Sequence, residues 1–145
     1  MTALIHVVYV SEATADISDG ALRDLLGRAR KHNASADLTG LLLHVERSFL
    51  QVLEGTHEAV GLLYAKIGLD KRHDRVVKLI EEPIEQRDFQ DWTMGIARVT
   101  AKELAGIAGL SDFFVNRSSL DGLGEGTARR LLDAFREGRW RTRVA

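Results

Sequence analysis

Hydrophobic residues run almost unbroken from residue 3 to residue 11, a length that suits a strand, with Ile5, Val7, Tyr9 and Ser11 sharing one face at a side-chain period of two. The period then changes. A polar connection from Ala15 to Gly20 offers Asp16, Ser18 and Asp19 as helix caps, and Leu22, Leu25, Leu26 and Ala29 recur at spacings of three and four, an apolar helical stripe. Asn33 follows Leu22 by eleven residues, almost three full turns, so it lies on that stripe, either as a C-cap or facing a ligand.

Strand-like runs follow at Leu38 to Val45 and at Phe49 to Glu54, with Glu46-Arg47-Ser48 as the hairpin turn between them. Thr56 can cap a second helix whose inner face is Val60, Leu63 and Ile67, and whose far end carries Lys66 and Asp70 at an i,i+4 spacing. Val76 to Ile80 predicts a fourth strand ended by Pro83, and Trp92 to Val99 a fifth with Trp92, Met94 and Ile96 on one side. The order βαββαββ predicts an α+β, ferredoxin-like sheet with two helices on one face, which leaves room for a ligand between helices and sheet.

Past Val99 the pattern is helical. Thr100 to Glu103 is a capping box opening a short helix that Gly109 can close, and Ser111 starts a turn through Phe113 and Phe114. After Gly122, Gly124 and Gly126, the residues Leu131, Leu132 and Phe135 mark an amphipathic helix ending near Gly138. These helices have no core of their own and are expected to cover the other face of the sheet, dividing the chain into a ligand-binding part, 1–100, and a helical extension, 101–145. Arg139, Arg141 and Arg143, interrupted by Trp140, read as a solvated terminus.

One strand position breaks the hydrophobic rule. Phe49, Gln51 and Leu53 share a face, and Leu50, Val52 and Glu54 share the other, so Gln51 places a primary amide where hydrocarbon is expected. Leaving such a group unpaired in a core costs about 1–3 kcal/mol. The Tyr9 face of the first strand and the Trp92–Met94 segment are the candidates to meet it.

Composition narrows the chemistry. A net charge of -1 argues against a nucleic-acid or membrane-surface protein, and the absence of cysteine excludes disulfides and thiolate chemistry. His6, His32, His44, His57 and His73 have no spacing that suits a helical metal pair, so no metal site is expected. There is no apolar leader before the first strand, and a cytoplasmic protein is expected.

Six motifs in order, Tyr9-Val10-Ser11, Arg30-Lys31-His32-Asn33, Leu38-Thr39-Gly40-Leu41-Leu42, Phe49 through Gly55, Asp70-Lys71-Arg72-His73 and Trp92-Thr93-Met94-Gly95, resemble the BLUF domain, a family of blue-light sensors that use FAD. The resemblance spans Leu4 to about Val99. It implies an isoalloxazine ring between the two helices, its edge reaching Tyr9, Gln51 and Asn33, with Lys66, Asp70 and His73 bordering it and Arg30 toward the tail. Ser11, His32 and Met94 complete the implied cofactor set. Tyr9, Gln51, Trp92 and Met94 are the implied photochemical residues, with Gln51 relaying the proton of Tyr9 and the fifth strand carrying the signal to the C-terminal helices.

Three positions depart from the family's usual pattern: Ala29 replaces a common Ser, His32 the first of two Asn, and Lys66 an Arg, which loses a planar fork. The resemblance implies a sensor without catalysis of its own, acting on a separate effector protein and forming a homo-oligomer, with no nucleic-acid or membrane partner. The alternatives are a flavin-dependent oxidoreductase and an RNA-binding ferredoxin-like module. An acylphosphatase-like hydrolase would want an Arg in the loop after the first strand, and Ser11 to Gly20 contains none.

Overall fold

Strand β1 (Leu4–Ala13) lies inside a five-stranded sheet of order β4-β1-β3-β2-β5, flanked by β3 (Ser48–Thr56) and β4 (His73–Ile84). This is seen in a computed structural model, which describes residues 3–13, 18–45, 48–69, 73–90, 92–106 and 124–138. The remaining strands are β2 (Thr39–Val45) and β5 (Gly95–Arg98); the helices are α1 (Asp19–Ser35), α2 (His57–Leu69), α3 (Ala101–Ala105) and α4 (Glu125–Arg136). All pairings are antiparallel except β2 with β5, where Leu41 meets Gly95. The α+β, ferredoxin-like order is therefore present, with β5 appended beside β2.

Local chemistry sets the helix starts. Ser18 Oγ accepts the Ala21 N–H at 3.1 Å, Thr56 Oγ1 accepts the Ala59 N–H at 3.2 Å, and Thr100 and Glu103 form a reciprocal capping box. Gly40 needs its hydrogen for a different reason: a Cβ there would collide with the Val52 carbonyl oxygen.

Two cores sandwich the sheet. On one side Ile5, Val7, Tyr9, Phe49 and Leu53 pack under Leu22 and Leu26 of α1 and Val60 of α2. On the other, Val8, Val10, Leu41, Leu43, Leu50 and Val52 pack under Leu104 of α3 and Leu131, Leu132 and Phe135 of α4. The parity read from the sequence for β1 and β3 is thus the parity of the fold, and α3 and α4 do cover the outer face.

Several strand limits differ from expectation, and Ser48, expected in the hairpin turn, opens β3. β4 runs through Pro83 to Ile84, with Pro83 opposite Ile5, because β4 is an edge strand and can tolerate a residue without an N–H. β5 begins at Gly95 rather than Trp92. Asp16, the turn residues Glu46 and Arg47, Asp70, Lys71, Arg72, Gly109, the turn from Ser111 to Phe114, Gly122 and the tail from Arg139 to Arg143 lie outside the described residues.

Glu54, buried on the outer face, holds the connection between β4 and β5. Its carboxylate accepts the Asp88 N–H at 2.6 Å, the Phe89 N–H at 3.1 Å and the Thr39 hydroxyl at 2.9 Å. Burial raises its pKa, and the three donors act against that rise.

Candidate functional site

The inner face opens into a cleft between α1 and α2 of about 220 Å³, with Leu25, Leu26 and Ala29 on one wall, Leu63 and Ile67 on the other, and Leu42, Phe49, Gln51 and Met94 at its base. The two helical stripes of the sequence supply the walls and the odd-numbered face of β3 supplies the base. Arg28, His32 and Lys66 also line it; Arg28 and Lys66 are exposed and bring positive charge to the opening.

Tyr9 and Gln51 are directly opposed in the β1–β3 register, and the Tyr9 hydroxyl donates to Gln51 Oε1. Gln51 Nε2 in turn donates to Met94 Sδ at 3.5 Å. The amide is thus satisfied at one end by a phenol and at the other by a thioether, which is a weak acceptor that a better one can displace. Burial, with Tyr64 beside it as a lesser cause, raises the Tyr9 pKa well above the ordinary phenol value, so Tyr9 is a neutral donor at any physiological pH. The Tyr64 ring meets Tyr9 edge-on at 5.4 Å.

Asn33 is fully buried but is not the C-cap of α1, a place taken by Ala36. Its Nδ2 donates to the Thr93 carbonyl at 2.6 Å, while Oδ1 has no hydrogen-bond partner among the described residues and belongs to a residue lining the cleft. A buried acceptor at the cleft can serve a ligand that carries a donor.

Trp92 corrects the expectation from the sequence. It stacks with Phe89 at 6.0 Å in the outer core, whereas Met94 and Ile96 belong to the inner one, so the three do not share a face. Strand parity fails there because residues 92–94 precede the strand.

The other expected residues divide. His32 and Lys66 line the cleft; Ser11 is buried beside Phe49 in the β1–β3 register but does not line it. Arg30, expected toward the cofactor tail, donates Nε to the Met94 carbonyl at 2.9 Å. His73 is described only as the first residue of β4, and Asp70 lies outside the description. Arg28 occupies what the sequence context shows as an ordinary exposed helix position; only the placement of α1 across the cleft from α2 brings it to the opening.

These residues fit FAD. The apolar walls suit the faces of a fused ring system, Asn33 Oδ1 offers an acceptor for a ring N–H, the Gln51 amide at the base offers a polar group that would meet the ring edge, and Arg28 and Lys66 suit an anionic tail.

The sequence profile of the family described as "BLUF: Sensors of blue-light using FAD" matches residues 4–95. The chain belongs to the BLUF family. Among curated relatives, the photoactivated adenylate cyclase subunit beta-like protein FB of Euglena gracilis is 36% identical over 112 residues, covering 77% of this chain and 13% of that protein. The chain therefore spans about an eighth of the length of such relatives. Among solved structures, the dark-state BLUF protein BlrB is 28% identical with a TM-score of 0.76, covering 94% of this chain and 98% of its own. The ground state of BlsA is 26% identical with a TM-score of 0.79, covering 92% and 87%.

The cofactor of this BLUF chain is accordingly FAD. Its outer sheet face, which an RNA-recognition module would use for base stacking, is covered by α3 and α4, and Phe49 points to the cleft side. No helix among the described residues is long and apolar enough to cross a membrane.

Proposed function

We propose that this chain converts blue light into a change of hydrogen bonding along Tyr9, Gln51 and Met94. The observation that carries the reading is the continuous buried row from the Tyr9 hydroxyl through the Gln51 amide to the Met94 sulfur, at the base of a cleft with an unpaired Asn33 acceptor. Bound FAD supplies a photo-oxidant for the phenol. Tyr9 would be the electron donor to it, and its hydroxyl would pass its proton to the Gln51 amide oxygen along the existing hydrogen bond and regain electron and proton together. Gln51 meanwhile rotates or tautomerises, which exchanges the donor and acceptor ends it presents to its neighbours. Asn33, His32 and Lys66 hold the cofactor, with Asp70 and His73 as the further binding residues of the family pattern, whereas Ser11 lies off the cleft.

Rearranging hydrogen bonds worth about 1 kcal/mol each can bias a balanced element without unfolding the domain. Met94 leads into β5, and β5 leads through Thr100 into α3, so residues 101–145 are the output extension of the sensor part, 1–100. The partner is a separate effector protein in the cytoplasm, the chain itself is not an enzyme, and it works as a homo-oligomer. Leu62 and Leu69 on α2, 62% and 85% exposed, support an association surface.

Blue light on the FAD-loaded protein should red-shift its absorption reversibly, and Tyr9→Phe should keep FAD but lose the shift. An intact photocycle in Tyr9→Phe would remove the reading.

A further inference from the structure

The approach to β5 is gripped at three successive carbonyls. Trp92 accepts the Gly40 N–H at 3.1 Å, Thr93 accepts Asn33 Nδ2 at 2.6 Å, and Met94 accepts Arg30 Nε at 2.9 Å. Arg30 and Asn33 stand three positions apart on α1 and so project from one side of the helix. We infer that Arg30 is a positioning residue for the photoswitch, setting the sulfur of Met94 against the amide of Gln51 through the Met94 backbone.

The need for such a residue follows from the chemistry of methionine. Its side chain is unbranched and flexible, and a thioether binds an N–H weakly, so the 3.5 Å contact with Gln51 cannot fix the sulfur by itself. The sheet does not fix it either, because the first β2–β5 pair is Leu41 with Gly95, one residue later. What remains is the backbone of residue 94, and a guanidinium N–H on its carbonyl is a charge-assisted bond stronger than a neutral one. Asn33 holds the preceding carbonyl with the same amide whose Oδ1 is unpartnered at the cleft. α1 therefore sets both the cofactor acceptor and the Met94 contact from adjacent turns of one helix.

The inference rests on Gln51 as the switching amide, and its test separates the two. Methionine occurs only at positions 1 and 94, so a methyl-labelled protein carries a single internal methionine reporter. In flavin-free Arg30→Leu, which adds no methionine, the Met94 methyl resonance should move toward the position of free methionine. In the FAD-loaded variant, dark recovery should change about tenfold, the scale of losing one charged hydrogen bond, while FAD retention stays within about twofold of wild type. Arg30→Lys keeps the charge and should restore part of both.

An unmoved methyl resonance with unchanged recovery overturns the inference, as does a loss of FAD retention with unchanged recovery, which would make Arg30 a tail-binding residue. Should Arg30→Leu fail to fold, Arg30→Lys is judged by the same two readouts. Photoswitching that survives in Gln51→Leu would sink the relay alone, since the flavin-free methyl measurement still decides the Arg30 contact.

Discussion

Trp92 and Met94, two residues apart in the chain, serve opposite cores of the same sheet: Trp92 stacks on Phe89 beneath α4, and Met94 lies at the base of the cleft against Gln51. The segment between them therefore connects the photochemical row to the covered outer face without any side chain passing through the sheet. Trp92→Ala should cost roughly 2 kcal/mol in stability, less than a fully buried aromatic, and leave the red shift in place. Met94→Ala should keep the shift but weaken its transmission. Hydrogen exchange in dark and lit states checks this: light should alter protection of β5 and of the helices after Thr100 more than that of the β2–β3 hairpin, and Met94→Ala should reduce the difference.

Gln51→Leu should fold and retain FAD yet fail to switch, because a hydrocarbon of similar size cannot exchange donor and acceptor. It also leaves the Tyr9 hydroxyl without its acceptor, at a cost of about 1–3 kcal/mol. Infrared difference spectra should show no light-induced shift of the flavin C4 carbonyl. The usual shift in this variant would assign the relay to another group.

Asn33→Ala removes the hydrogen bond to Thr93 together with the cleft acceptor Oδ1. At about 0.5–1.5 kcal/mol per bond, flavin should be held roughly two- to tenfold less tightly. Equilibrium dialysis measures this directly. Unchanged retention would mean that Asn33 only supports the approach to β5.

Acid should loosen α4. Glu82 on β4 receives Arg129 of α4 at 2.9 and 3.1 Å and His6 of β1 at 2.8 Å, and chiefly the Arg129 hydrogen bonds, then that of His6, lower its pKa from 4.5 to about 2. A carboxylate depressed in the folded state binds its proton more readily once unfolded, so this contribution is full above about pH 4.5 and decays as pH falls toward 2. Thermal melts should show that decay, Glu82→Gln should flatten it, and added salt should shrink it because the pair is partly exposed.

Much of this was legible in the sequence because it rests on periodicity. The alternation of Ile5, Val7 and Tyr9, and of Phe49, Gln51 and Leu53, fixes the inner face, and a buried amide in that pattern points to the site by itself. Pro83 misled because a proline's meaning depends on whether its strand lies at an edge, which only the strand order reveals. Trp92 misled because alternation holds only inside a strand, while the grip of Gly40, Asn33 and Arg30 on residues 92–94 is long-range. Glu54 lay on an apolar strand face, a signal like that of Gln51, but its partners Asp88 and Phe89 sit on a connection without periodicity.

The place of β1 inside the sheet also orders events during synthesis. β3 can zip onto one of its edges early, but the other edge waits for β4, and the base of the cleft waits for Met94. At about 5–20 residues per second, an apolar strand keeps one open edge for seconds, a template for pairing with other chains. Nascent chains should therefore aggregate more readily than the finished protein does, and slower, chaperone-rich expression should raise the yield of protein able to take up flavin.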